Sequence, residues 1–330
     1  MDQKSHMKVY GIAVMFSVLV GFSFLGVKTC VPVANSLQIL VHRYNFAFLA
    51  ILLLMVLHIV RIDLRGRRKK NLILTAGTYI GFMALQVMGM FYSTSIEASI
   101  LFAIVPILAQ IIAAVFLGEK ATLIQNLFVG LSVAALIVML VMGSTSIRFH
   151  AGGTALLLLS SVCMAVSNVF MRYVRAEYRP IEISTAIIIG GCVVFNLAFL
   201  IQGAITGNSG TYFEPFRHKE FTIAVAYLGI GCILLSAQLM SYLLSKLAAV
   251  KATIFGNVST AISIIAGVVI LGEPLMPYHI ICAVLIIAGV VGLSFSGERP
   301  REKTAKEIVD PQKIQIMEEN KDEIQISDGK

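Results

Sequence analysis

The chain has 330 residues, 58% of them hydrophobic and only 13% charged, with a formal net charge of +8. A soluble domain holds about a quarter charged residues, so the composition excludes an ordinary water-soluble fold and points to a polytopic helical membrane protein. The cations sit between apolar runs, as in residues 61–70 (RIDLRGRRKK), rather than along one soluble face, which favours anionic lipid headgroups over nucleic acid as their partner.

A span needs about 20 apolar residues to cross the hydrocarbon core. That measure predicts ten, at 9–27, 36–60, 71–92, 96–117, 122–143, 153–172, 182–203, 220–243, 248–271 and 276–296. The first continues straight into a membrane bundle and calls for no cleavable signal peptide. The second is interrupted in its outer third by His42 and Arg43. The third carries Tyr79, Met83 and Gln86 at i, i+4 and i+7, on one helical face. Glu97 opens the fourth, with Pro106 midway along it. The sixth aligns Ser161, Asn168 and Arg172, and the eighth aligns Gln238, Ser241, Tyr242 and Ser245. The ninth aligns Thr253, Asn257 and Thr260 beside Gly256. Residues 298–330 turn abruptly charged and polar and are expected to be a disordered cytoplasmic tail.

Orientation follows from loop cations. With the N-terminus inside, 14 Lys and Arg fall on the inner side and 4 on the outer, the tail left aside, which predicts both termini in the cytoplasm of a cell-membrane protein.

One block occurs twice. SIEASILFAIVPILAQIIAAVFLGEKAT starts at Ser95 and AVKATIFGNVSTAISIIAGVVILGEPLM at Ala249, an offset of 154. Each runs from a small pair (Ala98-Ser99, Ala252-Thr253) through an apolar helix to Leu-Gly-Glu, ending at Glu119 and at Glu273. Five spans separate the two ends, an odd number, so the ends lie on opposite faces. A fainter match sets Ser17, Phe24 and Lys28 against Ser161, Asn168 and Arg172, at an offset of 144. Together they predict two inverted five-helix repeats, at 1–147 and 148–297.

This doubled pattern, with Pro106 and the early Lys28 and Arg43, resembles the EamA-type members of the drug/metabolite transporter superfamily over about residues 10–296. The resemblance implies ten helices as two inverted repeats, and a carrier of small metabolites such as amino acids, often outward. The second copy departs from the first: Thr260 stands where Pro106 stands, so the kink there is open to question.

Polar groups at membrane depth face a cavity or a partner helix. Helix–helix hydrogen bonding is the plain account of any single Ser or Thr. Several stripes on different helices are hard to satisfy pairwise, so Tyr79, Gln86, Asn168, Gln238, Tyr242 and Asn257 form the candidate substrate cavity, with Tyr79 as wall or gate. Glu97 begins a helix, where a carboxylate is electrostatically comfortable; the sharper reading makes it a proton- or cation-coupling site. Glu119 and Glu273 are read as structural groups at helix ends. Arg43 and Lys28 are read as snorkelling near the outer face, with an anion-binding role the lesser alternative.

No HExxH, GxSxG or P-loop occurs, and the five cysteines stand singly without CxxC spacing, so neither an enzyme, a metal site nor a cofactor is implied. The expected function is a secondary transporter working by alternating access, and the expected partners are a small-molecule substrate and the lipid bilayer. A homodimer is left open. A membrane-embedded lipid-handling protein, flippase or transferase, is the alternative.

Overall fold

With no water to satisfy an exposed backbone, an apolar chain of this kind crosses a bilayer as helices. The computed structural model describes residues 3–60, 62, 69–117, 123–144, 150–175, 177–207, 211–246 and 249–295, all helical or in short connections, with no strand among the described residues. The expected tail and Glu119 lie outside the described residues, as do the side chains of Arg172, Ser241, Ser245, Thr253 and Asn257.

The helices are α1 (Gln3–Gly21), α2 (Ser23–Cys30), α3 (Ser36–Val56), α4 (Lys69–Met90), α5 (Ser95–Phe102), α6 (Val105–Leu117) and α7 (Leu123–Ser144). They continue as α8 (Ala151–Val174), α9 (Pro180–Thr206), α10 (Lys219–Ala226), α11 (Ser236–Lys246), α12 (Ala249–Leu271) and α13 (Pro277–Phe295). A π-helical stretch, Tyr227–Leu235, joins α10 to α11. Six helical stretches are long and apolar enough to cross a membrane: Met7–Cys30, Ser36–Val56, Lys69–Met90, Ala151–Met171, Pro180–Thr206 and Lys219–Met240. Ser95–Ala109, Val258–Leu271 and Pro277–Gly292 are shorter apolar helices. The second predicted span stops earlier than expected: the helix ends at Val56 and His58 takes a positive φ of 57°.

Local chemistry sets the helix ends. Asn35 caps α3 reciprocally with Gln38: each side-chain oxygen accepts the other's backbone N–H at 2.8 Å. Pro106 has no N–H to give and its ring crowds the preceding turn, and the chain breaks between α5 and α6 at Ala103–Ile104. At the equivalent place α12 carries Thr260 and runs unbroken for 23 residues. The departure from the repeat noted in the sequence is therefore a real difference in shape.

The bundle combines a largely apolar core with an apolar exterior, and polar side chains are enclosed among its helices. Ser17, Thr75, Ser99, Ser132 and Ser167 are fully buried, while Leu200, Ile205, Leu53 and Val269 are among many apolar side chains left more than half exposed. Such an apolar exterior is solvated by lipid. Inside, α4 packs along α8, α7 along α13, α1 along α12 and α3 along α9.

Two contacts repeat across the chain. Ser17 Oγ on α1 donates to the Phe255 carbonyl on α12 at 2.7 Å, and Ser161 Oγ on α8 donates to the Leu101 carbonyl on α5 at 3.2 Å. Each serine also bonds the carbonyl four residues back in its own helix, at 3.1 Å.

Leu-Gly-Glu finds its reason in the second copy. Gly272 takes φ 63° just beyond α12, a conformation open to glycine, and turns Glu273 onto the start of α5. There its carboxylate accepts Ser95 N–H at 2.8 Å, Ser95 Oγ–H at 2.7 Å and Ile96 N–H at 3.1 Å. A negative group at a helix N-terminus meets both orphan donors and the helix dipole. Glu273 is thus a structural group at a helix end, and the end belongs to a distant helix.

Candidate functional site

The polar groups enclosed by the bundle divide into those satisfied by a neighbouring helix and those left open. Asn45 on α3, Asn196 on α9 and Tyr212 close a ring. Asn45 Nδ2 donates to Tyr212 Oη at 2.6 Å, Tyr212 Oη donates to Asn196 Oδ1 at 2.9 Å, and Asn196 Nδ2 donates to Asn45 Oδ1 at 2.8 Å. Burial pushes the Tyr212 phenol above its ordinary range, with the Asn45 bond acting the other way, so this ring stays neutral. Nearby, Gln38 Nε2 donates to the Thr211 carbonyl, and His42 Nε2 lies 2.8 Å from the Tyr212 carbonyl oxygen, strapping this connection onto α3. These groups act as glue between helices.

Glu97 is likewise engaged. Its carboxylate accepts Thr94 N–H at 3.0 Å while Thr94 Oγ1 accepts Glu97 N–H at 3.1 Å, a reciprocal cap on α5. The geometry here is that of a helix end.

Arg43 is different. The snorkelling expected of it requires a head group near the surface, yet the residue is only 2% exposed. The reason lies in the face of α3 that it occupies: its guanidinium is within electrostatic reach of Cys30 at the end of α2, Tyr79 on α4, and Tyr227 and Cys232 on the π-helical stretch. It therefore points between helices. Its Nε and Nη1 are buried with no hydrogen-bond partner, as is the hydroxyl of the adjacent Tyr44. The π-helical stretch lies tightly against this turn of α3, because a Cβ at Gly229 would collide with the Arg43 carbonyl oxygen. Lys28, expected like Arg43 to snorkel near the outer face, is half-buried within reach of Glu273 and Glu97.

The sequence-derived candidates fall in several surroundings. Tyr79 is half-buried, edge-on to Phe82 and within electrostatic reach of Arg43. Met83 and Gln86, on the same face of α4, are buried. Asn168 on α8 is half-buried, next to Ser167, whose hydroxyl donates to the Thr75 carbonyl of α4 at 3.4 Å. Gln238 lines a largely apolar groove of about 890 Å³ with Phe46, Leu54, Ile181 and Leu234, and its Nε2 is buried without a partner. Tyr242 packs against a separate patch of Val9, Ala13, Phe16 and Leu243. The Asn257 side chain lies outside the described residues. Tyr79 thus lies within electrostatic reach of Arg43, whereas Gln238 and Tyr242 meet different neighbours.

The EamA-like transporter family matches the chain twice, over residues 7–141 and 151–295. A protein of Bacillus subtilis (strain 168) named as the uncharacterized transporter YcxC is 35% identical over 296 residues, 89% of this chain and 95% of that protein. YyaM of the same organism, also named as an uncharacterized transporter, is 22% identical over 92% of this chain and 98% of its own. One solved crystal structure shares the fold at a TM-score of 0.57 and 15% identity, covering 88% of this chain and 97% of that one. The doubled match, the transporter relatives and the apolar helices lead to one conclusion: the chain belongs to the EamA-like transporter family and is a multi-pass membrane transporter.

Proposed function

We propose that the protein is a secondary carrier exporting small metabolites such as amino acids across the cell membrane by alternating access. It has ten spans in two inverted repeats, 1–147 and 148–297, with both termini in the cytoplasm. The observation that carries this reading is the doubled serine contact. Ser17 and Ser161 are equivalent in the repeat, and so are their acceptors Phe255 and Leu101; the two bonds are therefore one contact made twice. Glu273 adds direction. It follows α12 yet holds the start of α5, which supports an antiparallel course for the equivalent helices. The packing is consistent with the same exchange: α4 on α9 has its mate in α3 on the π-helical stretch, and α7–α13 and α3–α9 map onto themselves.

Inverted halves can rock about a site near their shared axis. Tyr79, Gln86, Asn168, Gln238, Tyr242 and Asn257 are proposed to face that path in the working cycle, and Glu97 remains a helix cap, leaving transport without proton coupling. Vesicles containing the purified protein and loaded with a labelled amino-acid mixture test the reading. Wild-type protein should release label well above empty vesicles, and Gln238→Ala should release it at least several-fold more slowly at equal incorporation. Release no faster than from empty vesicles would refute transport of this class. The apolar groove at Gln238 supports lipid handling as the second reading, and scrambling of a fluorescent phospholipid in the same vesicles would favour it.

A further inference from the structure

An unpaired cation in a membrane interior is strongly disfavoured, and such a group persists where it is paired in some state of the protein. The described acids nearest in character are already committed. Glu97 caps α5, Glu273 holds the same helix start from the other repeat, and the Glu182 carboxylate accepts Arg179 N–H at 2.7 Å. None pairs with Arg43, whose Nε and Nη1 stand buried and open. A second observation marks the same place. The wall beside Arg43 is a nine-residue π-helical stretch, a rare geometry that is frequent at functional sites. Its surroundings of Cys30, Cys232 and tyrosine rings form a poorly polar shell in which an ionic hydrogen bond is strengthened. A guanidinium is a permanent charge whose N–H donors suit an oxyanion.

We propose that Arg43 is the substrate-binding cation of this carrier, and that the cargo bears a carboxylate or comparable oxyanion which pairs with the guanidinium through an open Nε or Nη1 donor, with Tyr79 near it. The assignment rests on the transport reading above and names its substrate class.

The test separates the two. A cell metabolite extract is passed at about pH 10 over a strong anion exchanger, so that amines are neutral and compounds with a carboxylate or phosphate are retained. Vesicles containing the full-length protein are loaded with either the retained or the flow-through fraction, and efflux is followed by mass spectrometry. The wild type should release compounds of the retained fraction, and Arg43→Gln should slow that release roughly tenfold or more, the scale of a lost charged hydrogen bond. If the wild type releases only flow-through compounds, transport stands and the proposal fails. If folded Arg43→Gln matches the wild type on the retained fraction, it fails likewise. No release of either fraction defeats the transport reading, and the proposal with it. Should Arg43→Gln not fold, Arg43→Lys decides: a KM for the released anion raised roughly tenfold with a smaller change in maximal rate is expected, and an unchanged KM overturns the assignment.

Discussion

Replacing Glu273 by alanine should loosen the protein at a point far from its own helix. The carboxylate satisfies two backbone N–H groups and a hydroxyl at Ser95 and Ile96, both essentially buried. Without it, two buried backbone N–H groups and the Ser95 hydroxyl lose an ionic acceptor, and α5 keeps only Glu97 as an anion in its first turn. Loss of a helix cap costs about 1 kcal/mol and an ionic hydrogen bond about 1.5–3 kcal/mol. These terms overlap, so the expected loss is about 3 kcal/mol, or roughly 6–12 °C in apparent melting temperature. The chain has no Trp, but Cys30, Cys232 and Cys282 are buried, so a thiol-reactive dye reports unfolding in detergent. Scans at one fixed rate keep irreversible unfolding comparable between variants. Glu273→Gln, keeping one acceptor oxygen, should fall between wild type and alanine. A Glu273→Ala melting temperature within about 1 °C of wild type would refute the clamp.

Ser17→Ala and Ser161→Ala should each cost about 1 kcal/mol in the same assay, and the double variant their sum, since they remove equivalent bonds at separate places. Reporter fusions at Arg67 and at Ser209 should give cytoplasmic and external signals respectively; the same side for both would defeat the ten-span topology. Transport should be indifferent to an imposed pH gradient, and Glu97→Gln should leave that indifference unchanged. A gradient that alone drives accumulation and is abolished in Glu97→Gln would make this residue the coupling group.

Much of the helical framework was legible because membrane spans announce themselves by length and hydropathy, and because Leu-Gly-Glu occurs twice. The contrast of Pro106 with Thr260 also read true, as a break between α5 and α6 against an unbroken α12. Depth and facing were harder. Arg43 in the outer third of a span looks the same in sequence whether it snorkels or turns inward, and only the packing of α2, α4 and the π-helical stretch decides. A charge within a span was itself the available signal. The Asn45–Asn196–Tyr212 ring joins residues some 150 positions apart, with no local pattern to announce it. Glu273 was expected at a helix end, but its target on α5 is a tertiary fact.

Alternating access is the centre of this account, and access itself can be measured. Tyr79→Cys and Gln86→Cys, each in a background whose five native cysteines are replaced, are exposed to a membrane-impermeant thiol reagent from the outside of cells and, separately, from the inside of inverted vesicles. Each position should be labelled from both sides, and labelling should slow when transported metabolite is present. Labelling from one side alone, or from neither, would contradict it.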